Sequence, residues 1–175
     1  LVAGLALVSI AALLTAWRFQ EPTPQEVSAG GFSAVRAREV LERVLPDATP
    51  HPLGTPAQAE VRARILRELS FLGLEPEVQT ATACSPLGGC GKVRNILVHI
   101  PGTTDATVLV SAHTDSTAAG PGAADDGSGV AILIDLARIF RNRKANNGVI
   151  LLFSEGEETG MLGAIAFLEQ HPLAA

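Results

Sequence analysis

The sequence holds no run of more than two adjacent basic residues; its 13 Lys and Arg are outnumbered by 18 Asp and Glu, for a net charge of −5. A nucleic-acid binder would show a basic stripe, so that class is excluded. Charge of either sign is scarce, at 18% of 175 residues, while 47% are hydrophobic. That composition is too apolar for a disordered chain. No repeat of 20–50 residues is visible, which removes solenoids and propellers. There is no tyrosine, and only 4% of residues are aromatic. The two cysteines, Cys84 and Cys90, are a lone pair six apart, which is not a zinc knuckle, and no histidine adjoins them. A Gly/Pro-containing loop between them makes this pair a candidate disulfide if the domain lies outside the cytosol. The bland alternative is two free thiols.

A positive mean hydropathy of +0.28 in so weakly charged a chain points to a lipid-facing segment. Leu1 to Trp17 contains no charged residue, and Arg18 ends the run. Seventeen helical residues span roughly 26 Å, just short of a ~30 Å hydrocarbon core. We read residues 1–17 as a transmembrane anchor, with a cleaved signal and a buried helix as alternatives. Residues 18–32 are a polar Pro/Gly-containing linker, and residues 33–175 form the folded domain.

Within that domain, Ser33 to Leu45 reads as an amphipathic helix with Val35, Val40, Leu41 and Val44 as inward candidates. Thr55, Pro56 and Gln58 read as N-cap, first helical residue and capping box. Val61, Ile65, Leu69 and Leu72 form the next buried stripe, and Gly73 stops it. Strands are expected at about Glu75–Thr82, Val93–Ile100, Thr107–Ala112 and Gly148–Phe153. Helices are expected at about Ser128–Arg141 and from near Gly160. Strand, helix and strand from Thr107 to Phe153 make a βαβ unit, so those two strands should run parallel. Val108-Leu-Val and Val149-Ile-Leu-Leu-Phe read as strands buried on both faces. The fold class is α/β, with a mixed, centrally parallel sheet flanked by helices.

Chemistry concentrates where basic residues are missing. No Lys or Arg occurs from Asn95 to Ala137 or after Ala145. Those stretches hold His113, Asp115, Asp125 and Asp126, then Glu155, Glu157 and Glu158. Crowded carboxylates repel one another unless something positive joins them. A His with several carboxylates suits zinc. All three segments fall at carboxyl ends of strands or in the turns that follow, where α/β proteins bind ligands. Each residue alone has a bland reading. Asp125 or Asp126 could cap a helix, Glu157 and Glu158 could answer a helix dipole, and His113 could be a satisfied core histidine. His51, His99 and His171 lack such company and read as structural or surface residues.

Three motifs carry a resemblance: His113-x-Asp115, Gly122-Ala-x-Asp125-Asp126-Gly-Ser-Gly129, and Glu157-Glu158-x-Gly160-x-x-Gly163. In this order and spacing the chain from about Glu39 resembles the co-catalytic two-zinc aminopeptidase family. That family also contains glutamate carboxypeptidase, the glutaminyl cyclases and membrane-bound endoplasmic-reticulum metallopeptidases. The uncharged N-terminal run and His51-Pro-Leu-Gly-Thr-Pro are similar to the membrane-anchored branch. The resemblance implies two zinc ions as cofactor and a peptide as substrate. It implies His113 as ligand of one zinc, Asp125 as bridge between both and Glu158 as ligand of the other. Glu157 would be the general base acting on a zinc-activated water, and Asp115 the partner that holds the His113 ring. Asp126 and Glu155 have no family role, and Asp126 could cap the helix. The family draws one more ligand per zinc from later in the chain. The expectation is therefore an incomplete chain that alone binds zinc weakly and turns over little. The reading is a zinc-dependent exopeptidase, most simply an aminopeptidase, membrane-anchored with its domain extracytoplasmic. Carboxypeptidase or glutaminyl cyclase chemistry, or a non-catalytic receptor ectodomain, are the alternatives. Nothing in the sequence sets the oligomeric state.

Overall fold

The computed structural model describes residue 9 and residues 30–86, 88–143 and 145–174. The anchor, and the linker up to residue 29, lie outside the described residues apart from residue 9. Among the described residues no helix is long and apolar enough to cross a membrane.

Two helices open the domain, α1 (Ala34–Val44) and α2 (Pro56–Phe71). Ser33 caps α1, its hydroxyl accepting from Arg36 N. Val40 and Val44 face inward as expected, but Ala37 is buried in place of Val35, which is only half-buried. Thr55 caps α2 by accepting from Gln58 N at 3.2 Å, Pro56 sits in the first turn, and Gly73 adopts φ +72° just past the end. The reciprocal half of the capping box does not form. Gln58 lies on the buried face with Val61, Ile65 and Leu69, and its side chain donates instead to Thr114 Oγ1 at 2.8 Å. Thr55 N, the donor a reciprocal box would satisfy, is taken by Pro52 O at 3.2 Å, and Gln58 Oε1 is buried away from it.

Four strands follow: β1 (Glu77–Cys84), β2 (Cys90–Ile100), β3 (Thr107–His113) and β4 (Gly148–Ser154). Their order in the sheet is β1-β2-β4-β3. β3 and β4 run parallel, as a βαβ unit requires, and α3 (Ser128–Phe140) connects them. The other two pairings are antiparallel. The sheet is therefore mixed, but its parallel pair lies at one edge of the four strands, which corrects the expectation of a parallel centre. Cys84 and Cys90 face each other in the β1–β2 register and form a disulfide with Cα atoms 4.0 Å apart.

β4 is central, and its apolar run is buried on both faces. Val149, Leu151 and Phe153 join a core with α1, α2 and α3, while Ile150 and Leu152 pack with Leu97 and with Phe167 of α4 (Leu162–Gln170). Alternate side chains of a strand point to opposite faces, so a run without polar interruptions needs cover on both. β3 carries a similar run, yet Val108 and Leu109 are 47% and 43% exposed. Both-face burial fails there because β3 has a neighbour on only one side among the described strands.

The start of the domain is tied down by Asp135 of α3. Its carboxylate accepts from Ser33 N, Arg36 Nε and Arg138 Nε at 3.1, 3.3 and 2.7 Å. Burial works against the charged form, but the hydrogen bonds from Arg138 and Ser33 and the Arg138 charge outweigh it. The carboxyl is held below its usual range. A lowered folded pKa contributes stability that is present above the unfolded value of about 3.9 and is lost as pH falls through the folded value. Asp135→Asn should cost about 2–3 kcal/mol at pH 7, because two guanidinium groups and an amide lose a buried charged acceptor. Urea unfolding should show the gap between variant and wild type closing below about pH 4; a gap unchanged in acid would contradict this account.

Candidate active site

β3 ends at His113, and α3 begins at Ser128 after the turn Ala123–Gly127. Within that turn Asp125 and Asp126 depart from helical backbone and are joined by a cis peptide bond. Asp126 turns back into the fold. One oxygen accepts from Gly129 N at 3.1 Å, capping α3, and the other accepts from His113 N at 3.3 Å. Gly129 is required here, since a Cβ would lie 2.2 Å from Asp126 Oδ1. Asp125 turns outward, with its side chain 84% exposed and Oδ1 at 2.9 Å from His113 Nε2.

His113 is nearly buried. Its Nδ1 lies 3.0 Å from the backbone carbonyl of Asp115, an acceptor, so Nδ1 carries the proton and Nε2 faces the carboxylates. Burial disfavours the imidazolium, but the Asp125 hydrogen bond, the Asp115 carbonyl and the charges of Asp115 and Glu157 raise its pKa above the ordinary value. Glu157 Oε2 is 3.9 Å from Nε2. Glu158 is raised as well, by desolvation first and then by Glu157 and Asp125.

The six acids thus separate into two groups. Glu155 is buried and paired with Arg62 of α2, and its second oxygen accepts from Arg94 N at 2.8 Å. Asp126 is held by two amides. The Asp115 carboxylate accepts from Gly156, Glu157 and Glu158 N–H at 2.8, 3.1 and 3.2 Å. Asp125, Glu157 and Glu158 remain at the surface, with Asp125 and Glu157 at 2.9 and 3.9 Å from His113 Nε2. Asp115 also differs from expectation in detail: its carboxylate is 3.8 Å from Nδ1, and the ring contact is made by its backbone carbonyl.

Gln58 and Arg62 were missed by sequence reasoning. Both face inward from α2 as members of its buried or half-buried side, and a polar residue in step with an apolar stripe was the available signal. Gln58 donates to Thr114 Oγ1, which donates to Ser154 O, so α2 braces the residue between His113 and Asp115. Of the remaining histidines, His51 is buried with Nδ1 near Thr49 O, His171 is buried against Glu77 Oε1 at 3.2 Å, and His99 is exposed.

Zinc fits the donors that converge. Two ligands of one tetrahedral zinc, each bound at about 2.0–2.2 Å, lie roughly 3.3 Å apart, and His113 Nε2 and Asp125 Oδ1 lie 2.9 Å apart. Among the described residues no group of three His, Cys, Asp or Glu side chains is close enough to hold a metal ion.

Comparison with known proteins finds relatives in both sequence and fold. Residues 95–175 match the model of peptidase family M28. A vacuolar membrane protease of Coprinopsis cinerea is 33% identical over 173 residues, covering 87% of this chain and 17% of its own length. A solved glutaminyl cyclase of Porphyromonas gingivalis is 26% identical with TM-score 0.66, over 79% of this chain and 54% of its own. A zinc-dependent exopeptidase from Parabacteroides distasonis shares the fold with TM-score 0.65 at 21% identity, over 79% of this chain and 56% of its own. The chain spans under a fifth of that relative and about half of those solved chains. The three motifs, which meet at neighbouring positions of one sheet end, begin and end within the residues, 95–175, that match the model of peptidase family M28.

Proposed function

We propose that the chain carries the metal-binding and proton-transfer end of a zinc-dependent exopeptidase, acting as an aminopeptidase on peptides. The observation that carries this reading is the meeting of His113 Nε2 with the carboxylates of Asp125 and Glu157, at 2.9 and 3.9 Å, on one exposed rim. His113, Asp125 and Glu158 would hold the metal, for which we propose two zinc ions. Zinc bound there supplies Lewis-acid polarisation of the scissile carbonyl and lowers the pKa of water.

Glu157 has the properties of a general base. Its side chain is 44% exposed, so it reaches solvent and substrate, and its loop is fixed through the backbone. It would take a proton from the attacking water and pass it to the leaving amine nitrogen. The Asp115 carbonyl holds Nδ1–H, which leaves the Nε2 lone pair for the metal. Glutaminyl cyclase chemistry is the second reading, favoured by the likeness to the P. gingivalis enzyme. Peptides with N-terminal glutamine separate the two, by release of the residue or its cyclisation. We further propose that residues 1–17 anchor the chain in a membrane, with the domain on the extracytoplasmic side. The uncharged run and the relative's name as a membrane protease support this.

Zinc titration against a chromophoric chelator tests the ligand assignment. His113→Ala and Asp125→Ala should each raise the Kd for zinc at least about tenfold, because each removes a donor the metal needs. The exposed Lys92→Ala should leave it unchanged. Wild-type affinity in both site variants would overturn the assignment.

A further inference from the structure

β4 ends at Ser154, so the loop that follows has no ladder to satisfy its amides. Three successive N–H groups, of Gly156, Glu157 and Glu158, instead converge on the carboxylate of Asp115. Consecutive amides aimed at one anion form a nest. Gly156 makes the nest possible, with φ +81° in the left-handed region that a side chain disfavours. The occupant is fully buried, with side-chain exposure of 0%. Its oxygens are committed to these amides, and the His113 ring is met by the Asp115 backbone carbonyl. The Glu157 and Glu158 side chains sit on two of the three residues so held, and both are exposed. On the carbonyl side Glu157 O accepts from Gly160 N and Met161 N and Gly156 O from Leu162 N, but the Glu157 and Glu158 N–H groups have no described acceptor besides Asp115. Like charges at Asp125, Glu157 and Glu158 push these side chains apart, so a fixed backbone is what keeps them beside His113.

We propose that Asp115 is a positioning residue for Glu157 and Glu158, acting through the backbone nest rather than through the His113 ring. The importance of those two side chains rests on the metallopeptidase reading; the anchoring itself does not. The consequence is specific. Asp115→Asn keeps the size and the backbone carbonyl on Nδ1, but places an NH2 group against at least one of the three amides.

Hydrogen exchange followed by NMR on the metal-free chain tests this. In Asp115→Asn, exchange at Gly156, Glu157 and Glu158 should accelerate at least about tenfold, because the loss of a charged acceptor opens the loop locally. The His113 ring 15N signals should stay as in wild type. Unchanged exchange at all three amides, or a change confined to the His113 ring, overturns the proposal. Should the variant fail to fold, the wild type decides. The amides of exposed Glu157 and Glu158 must exchange at least about tenfold slower than in an unstructured peptide, and unprotected amides overturn the proposal. No metal or turnover enters this experiment, so it can fail while the zinc titration succeeds, and the reverse.

Discussion

In a protein that carries this chain and hydrolyses peptides with zinc bound, Glu157→Gln should lower that hydrolysis about 10²- to 10⁴-fold, the range over which a positioned general base accelerates proton transfer. The substitution is nearly isosteric. The backbone amide of residue 157 still donates to Asp115, and the half-exposed side chain makes no core contact that its loss would disturb. Stability and fold should therefore be unchanged. Zinc affinity should hold within a few-fold, because Glu157 is assigned proton transfer and not ligation. The signature is a fall in kcat on aminoacyl-arylamides at nearly constant KM, together with wild-type zinc content by metal analysis. A variant that retains turnover within tenfold of wild type would remove Glu157 from the reaction. A variant that loses zinc along with activity would reassign it as a ligand.

The parts of this site that were legible in the sequence share a cause. His113, Asp125 and Glu157 sit where strands or their connections end, and strand ends follow from apolar runs and turn residues that are local in the chain. What was not legible depended on distant partners. The window without Lys or Arg suggested six uncompensated acids, yet Glu155 takes Arg62 from 93 residues earlier. Gln58 looked like half of a capping box because its neighbours fit that pattern. In the fold its Nε2 reaches Thr114, 56 residues away, while Thr55 N goes to Pro52 O. Asp115 was assigned to the imidazole two residues back, while its carboxylate went to amides 41 to 43 residues ahead. The same distinction governs the sheet. Val108-Leu-Val and the β4 run look alike, but one borders the four strands and the other is flanked on both sides, and strand order is not written in either segment.

That contrast yields the largest stability effect expected for this fold. Phe153 of β4 has no exposed surface and lies in the core formed with α1, α2 and α3. It pairs across the sheet with Ile96 of β2 and Ala112 of β3, which share its buried core. A cavity there cannot collapse easily, and Phe153→Ala should cost about 3–5 kcal/mol. Against a total stability of about 5–15 kcal/mol, that is a large fraction. Chemical denaturation should show the loss as a lower midpoint with an unchanged slope, and thermal melting as a fall of roughly 10–15 °C. Val108→Ala on the exposed run of β3 should cost under about 1 kcal/mol, since much of that side chain already meets solvent. Similar losses in the two variants would mean that β3 is covered in the folded protein. The Phe153 change should also reach the site. Its neighbour Ser154 accepts from Thr114 N and Thr114 Oγ1 through one carbonyl. Thr114 stands between His113 and Asp115, so a loosened β4 end releases both the imidazole and the nest that holds Glu157. Exchange at the amides of residues 156–158 in Phe153→Ala should therefore rise along with global instability, whereas Val108→Ala should leave those amides as protected as in wild type.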